Sequence, residues 1–186
     1  MTIALNKKLT IVLVVFLTAC GELKQNQYFA PVEQPFKDFS ITLNQNLAST
    51  QSDISALVRQ DFMILNQGKE NKNIIAQINL AEASLYINCG MMNNEIYVDY
   101  IDRIFESSLK AELLIEFEEI NENTTNIQLD ISYTFISLES GTTWELTSNQ
   151  PASIWVATPA EGAVPQRECL SKHALEESLM NKISGL

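Results

Sequence analysis

The clearest pattern in the chain lies between residues 111 and 135. Ala111, Leu113, Ile115 and Phe117 alternate with Glu112, Glu116 and Glu118, and only Leu114 interrupts the polar positions. Ile127, Leu129, Ile131, Tyr133 and Phe135 alternate with Asn126, Gln128, Asp130, Ser132 and Thr134, and the turn-like segment 121–125 joins the two runs. A period of two places all the apolar side chains of a strand on one face, so these runs predict an antiparallel hairpin with one buried and one wet face. Phe39, Ile41 and Leu43 alternate in the same way and predict an earlier strand. Met63–Leu65, followed by Asn66-Gln67-Gly68, reads as a strand reaching a turn, with Ile74–Leu80 as its return partner and Leu85–Ile87 as a further extended piece. Thr142–Leu146 adds another strand.

Helical spacing occurs early and late. Ile54, Leu57, Val58 and Phe62 fall on one helix face, with Thr50 or Ser52 as the expected N-cap. Near the C-terminus Leu175, Leu179 and Ile183 form an apolar stripe behind Ser171, a residue suited to capping. Residues 96–105 fit both periods; Tyr97, Tyr100, Ile101, Ile104 and Phe105 favour a helix. The sum is an α+β fold, an antiparallel sheet with helices packed on one face.

The N-terminus follows a different logic. Lys7 and Lys8 precede an apolar stretch of 11 residues, Leu9–Ala19, broken only by threonines. That is the layout of a secretory signal, and it falls short of the roughly 20 residues a membrane-spanning helix needs. Leu17-Thr18-Ala19-Cys20 closes it and resembles the bacterial lipobox. The resemblance implies diacylation of the Cys20 sulfur, cleavage before it and further acylation of the new amino group. Each buried CH₂ contributes about 0.8 kcal/mol, so two or three long chains hold a protein on a bilayer where one myristoyl chain binds only marginally. Gly21 stands where an Asp would resemble an inner-membrane retention signal, which in a Gram-negative cell points to the periplasmic face of the outer membrane. The expected organisation is a signal at 1–19, the lipidated Cys20 with a flexible tether to residue 35, and one domain over 36–186. The tether contains Pro31 and Pro35, lacks periodicity and has a coil reach of about 20 Å.

Composition narrows the partners. A 46% hydrophobic content is enough for a packed core. Without the signal, ten Lys and Arg face 23 Asp and Glu, a net charge of −13. Such a domain is repelled by phosphate backbones and anionic headgroups, which argues against nucleic-acid binding and leaves the lipid on Cys20 as the membrane tether.

With Cys20 acylated, Cys89 and Cys169 remain as a pair, and in an oxidising compartment a pair is expected to be a disulfide. The competing reading sets Cys169 and His173, four apart, on one helix face with Glu176 or Glu177 nearby, as a metal site or a Cys–His nucleophile pair. His173 is the only histidine, and no paired spacing supports a metal. Glu116, Glu118, Glu119 and Glu122 lack the Asp/Asn/Gly pattern of a calcium loop and read as a solvated strand face. Neither a glycine-rich phosphate loop nor a Gly-x-Ser-x-Gly elbow is present. Trp144 and Trp155 are expected to be structural.

The order of elements behind a lipobox resembles the helix-grip domains of envelope lipoproteins such as the BamC-type subunit of the β-barrel assembly machine. A strong anchor, a small domain and no assembled catalytic set point to a non-enzymatic module that docks an envelope protein partner, with no cofactor expected. The alternatives are a binding module for an apolar ligand, held between sheet and helix, and a small hydrolase or metal-binding protein using Cys169 and His173. Cys20→Ser is expected to abolish acylation and leave an uncleaved precursor; normal palmitate labelling of that variant would refute the lipobox assignment.

Overall fold

A computed structural model describes residues 27–67, 72–97, 107–137, 142–155 and 166–186; the signal segment and Cys20 lie outside the described residues. The first half contains β1 (Tyr28–Phe29), β2 (Ser40–Leu43), α1 (Leu47–Asp61), β3 (Met63–Gln67), β4 (Asn73–Leu80), α2 (Ala83–Tyr86), β5 (Ile87–Asn88), β6 (Met91–Met92) and β7 (Glu95–Ile96). The second half contains β8 (Ser107–Asn121), β9 (Thr124–Ser137), β10 (Thr142–Thr147), β11 (Ala152–Trp155), β12 (Gln166–Ser171) and α3 (Ala174–Ile183).

The alternating runs form the long hairpin β8–β9, closed by Glu122 and Asn123. Leu109, Ala111, Leu113, Ile115 and Phe117 of β8 are buried on one face together with Ile127, Leu129, Ile131, Tyr133 and Phe135 of β9. A bulge between Glu119 and Asn121 leaves Ile120 unpaired and exposed near the hairpin tip. The sheet order is β10-β9-β8-β4-β3, all antiparallel. β2 shares the β10 side of β9: it pairs with Thr125–Gln128 while β10 pairs with Ser132–Ser137. The interval between them is closed by backbone. Leu129 N donates to Phe39 O at 2.9 Å, Ser148 N donates to Ile131 O at 2.9 Å, and Ile131 N donates to Ser148 Oγ at 3.1 Å. No buried amide of that stretch is stranded between the two short strands.

Ile54, Val58 and Phe62 from the early helix region join Leu175, Leu179 and Ile183 of α3 in one core with the inward side chains of the sheet. The fold is therefore α+β, with its helical apolar stripes against one face of an antiparallel sheet. Trp144 is buried in the same core, opposite Phe135. Trp155 stands in β11 opposite Gln166.

Several local expectations are corrected. The cap of α1 is Asn46, not Thr50 or Ser52: its side chain accepts from Ser49 N at 2.9 Å, the third helical amide. Thr50 lies inside the helix and is buried. Leu85 is exposed in the single turn α2, and the strand begins at Ile87. Of residues 96–105, expected as a helix, Ile96 ends strand β7, Tyr97 is helical as expected, and 98–105 lie outside the described residues. The folded part also begins before residue 36. Tyr28 and Phe29, read as tether, pair with Met92 and Met91.

Among the described residues there are also two small sheets, β1-β6-β7 and β11-β12-β5. Asn93 and Asn94 turn β6 into β7 with φ of 54° and 67°, the left-handed pair of a type I′ turn that asparagine tolerates. Asn93 also clamps the entering chain: its N–H donates to Gln27 O and its Oδ1 accepts from Gln27 N. Gly90 sits at φ 81°, where a Cβ would collide with the carbonyl oxygen of Phe29. In the second small sheet Asn88 faces Leu170, and one further step in that register sets Cys89 directly across from Cys169. Their Cα atoms are 4.0 Å apart and the sulfurs are bonded, closing 80 residues of chain. Cys89→Ala with Cys169→Ala should lower the unfolding free energy by about 2–5 kcal/mol, read from the urea midpoint. An unchanged midpoint would mean that the bridge contributes nothing to the fold.

Candidate functional site

The residues singled out for chemistry separate in three dimensions. Cys169 lies in β12, not on the last helix, and its sulfur is committed to Cys89. It therefore offers neither a thiolate nucleophile nor a metal ligand. His173 is not on a helix face with Cys169; it is the N-cap residue of α3, in the left-handed region at φ 59°, ψ 12°. Nor is it an exposed histidine, since only 6% of it is accessible. Its Nε2 lies 2.6 Å from Ser148 O. A carbonyl only accepts, so Nε2 carries the proton. The ring meets Phe39 edge-on at 5.2 Å, and the backbone N–H donates to Ser171 Oγ at 3.0 Å. These three contacts hold a conformation that a residue with a Cβ seldom adopts.

Glu176 and Glu177 diverge as well. Glu177 is on the surface, bonded to Lys37 at 2.5 Å, and the hydrogen bond and charge of that ammonium lower its pKa. Glu176 is fully buried and accepts from Tyr133 Oη at 2.8 Å and from Ser171 Oγ at 3.1 Å. Sequence reasoning missed Tyr133 as a polar partner because alternation assigns it only to the core. The three residues make an extended capping device. In an ordinary capping box the third helical residue, a Glu, reaches back to the N-cap amide. Here Glu176 occupies that third position, and the hydroxyl of Ser171 stands between its carboxylate and the N-cap amide of His173. Ser171 thus acts on the N-terminus of α3 from two residues before the cap, not as the cap itself. The positive end of the helix dipole also favours a carboxylate at this place. Burial, and next the charge and hydrogen bond of Glu176, raise the pKa of Tyr133 far above its ordinary 10.0, so its phenol stays a donor.

This cluster is suited to holding α3 on the sheet. The Ser171 hydroxyl is spent on Glu176, and the protonated His173 nitrogen is directed at a backbone carbonyl. Beside it lies a pit of about 50 Å³ bordered by Pro35, Ser148, Asn149 and Ser171, room for a water or two. Between sheet and helices, the place an apolar ligand would occupy, Ile54, Val58, Leu113, Ile131, Leu179 and Ile183 are all buried in one core.

The surface opposite the helices is the other candidate. Glu112, Glu116, Glu118 and Asp130 are exposed on the wet face of β8 and β9. Partial burial and the charge of Asp38 raise the pKa of Asp130. Glu119 and Glu122 belong to the hairpin end, so the acidic run splits between a sheet face and a turn. Among the described residues no group of three or more His, Cys, Asp or Glu is placed to hold a metal ion. Comparison with protein-family models, curated proteins and solved structures finds no match for this chain.

Two outcomes follow from the buried cluster. His173→Ala should lower stability by about 1–3 kcal/mol through loss of the bond to Ser148, where a surface helix position would change it by less than about 0.5 kcal/mol. Chemical denaturation of that variant separates the two. A raised native pKa also means that protonated Tyr133 contributes its full stability below pH 10 and loses it above, where the unfolded phenol ionises and the native one does not. Tyr133→Phe should therefore flatten the decline of unfolding free energy above pH 10, and an unchanged slope there would contradict the assignment.

Proposed function

We propose that the protein is a lipid-anchored envelope lipoprotein whose domain docks a protein partner and performs no chemistry of its own. The reading places Cys20 under acyl chains at the periplasmic face of an outer membrane, with the folded domain projecting from it. The observation that carries it is the division of the three cysteines. One stands in the lipobox-like segment, and the other two are bonded between the residue after β5 and β12, as suits an oxidising compartment. The positions of α1 and α3 on one face of the sheet accord with the likeness to helix-grip envelope domains. What that arrangement leaves open is the broad acidic face of β8 and β9, complementary to a basic protein surface.

Crosslinking in intact cells tests the proposal. The parent protein should yield a defined protein adduct, and Glu116→Lys with Glu118→Lys should reduce it severalfold at unchanged abundance. Loss of function in His173→Ala at normal abundance, with the charge reversals silent, would instead favour an enzyme.

A further inference from the structure

The small sheet β1-β6-β7 carries an apolar stripe. Phe29 pairs with Met91, and Met91 pairs with Ile96, so the three side chains stand in a row across β1, β6 and β7. They are 46%, 42% and 43% exposed. The neighbouring row, Tyr28, Met92 and Glu95, belongs to the other face. There Met92 is fully buried, and the ring of Tyr28 meets Tyr97, which in turn meets the buried Trp144 of β10. The stripe thus points away from the large sheet, and the acidic face of β8 and β9 lies on the far side of the core. Val32 and Phe36 follow on the same N-terminal segment, 83% and 80% exposed.

We propose that this stripe is a membrane-contacting face, with Phe29, Met91 and Ile96 seated in the headgroup–acyl boundary of the bilayer that holds the lipid on Cys20. The inference rests on the lipoprotein reading above. Its occupant follows from the position of Cys20, the anchor in that reading. Phe29 stands nine positions after Cys20, so fully extended chain separates them by no more than about 32 Å. The strand that receives this chain is itself part of the stripe. It is fastened by Asn93 to Gln27 and by Tyr28, whose Oη donates to Cys89 O at 3.1 Å and accepts from Glu168 N at 3.1 Å. The buried Arg167 guanidinium lies 4.2 Å from the Tyr28 ring.

Charge argues for the same orientation. A domain this acidic gains nothing from anionic headgroups, so contact has to be made by an uncharged surface with the carboxylates turned outward. The stripe meets both conditions. Glu95 falls on the opposite row, and the Glu116 and Glu118 side chains face away across the core. With the acyl chains supplying the affinity, the stripe supplies orientation, holding the acidic docking face toward the aqueous side.

Depth-dependent quenching tests this in the acylated full-length protein. It would be reconstituted into phosphatidylethanolamine–phosphatidylglycerol vesicles containing lipids brominated near the headgroup end of the acyl chain. Ile96→Trp and Met91→Trp place reporters in the stripe, and Glu118→Trp places one on the acidic face. The expected result is that either stripe reporter adds severalfold more quenching over the parent protein than Glu118→Trp does. Equal quenching at the two faces, or none above the parent, would overturn the proposal while the protein still floats with the vesicles. Stripe reporters shielded from bromine but crosslinked to a protein would overturn it too, in favour of a protein interface. A protein that neither incorporates palmitate nor floats would instead remove the lipoprotein reading on which the inference stands.

Discussion

The apolar face of the β8–β9 hairpin is the constraint that the other elements answer to. Two strands of 15 and 14 residues present ten buried apolar side chains on one side, all but Ala111 of them medium or large. At roughly 25 cal/mol per Å² of apolar surface removed from water, that face is stable only when covered. α1 and α3 lay their stripes on it, and the small sheets contribute Met92, Ile87 and the disulfide to the same core. β4 extends the sheet on one side, while β2 and β10 share the other because neither alone spans β9.

Covering the sheet brings polar groups inside, and those around the N-termini of α1 and α3 are answered locally. Thr125, which points inward at the start of β9, gives its hydroxyl to Gln45 O beside the cap of α1. The N-terminus of α3 meets the sheet through Ser171, Glu176 and Tyr133, and His173 ties the same corner to Ser148. An unpaired carboxylate at the position of Glu176 would cost several kcal/mol, so the two hydroxyls beside it are part of the structure's stability. A set of Ser, His, Glu and Tyr side chains that suggests chemistry by composition is, by geometry, the fastening of a helix.

The small sheet that receives the N-terminal strand is held by contacts of its own. β1 is two residues long and could not persist alone, yet it is held from Asn93, Cys89 and Glu168. Cys89 is one half of the disulfide and Glu168 adjoins the other, Cys169, while Gly90 leaves room for the strand to pass. Through these contacts the oxidation of two cysteines, the docking of the N-terminal strand and the setting of the apolar stripe are parts of one arrangement.

Sequence alone determined the features governed by neighbours along the chain. The hairpin, the two helical stripes and the α+β class follow from periods of 2 and 3.6, which are local properties of backbone geometry. The pairing of Cys89 with Cys169 followed from their number. Tertiary structure decided what depends on residues distant in sequence. Leu47, Ile54 and Val58 carry the α1 stripe back to a cap at Asn46, because the face used was the one meeting the sheet. Tyr28 and Phe29 carry too little pattern to predict a strand and form one only against β6. Cys169 and His173, four apart, suggested a shared helix face, but the chain is still extended at Cys169 and turns through a left-handed residue at His173. Spacing determines proximity only within one regular element, and the boundary between β12 and α3 falls between these two residues.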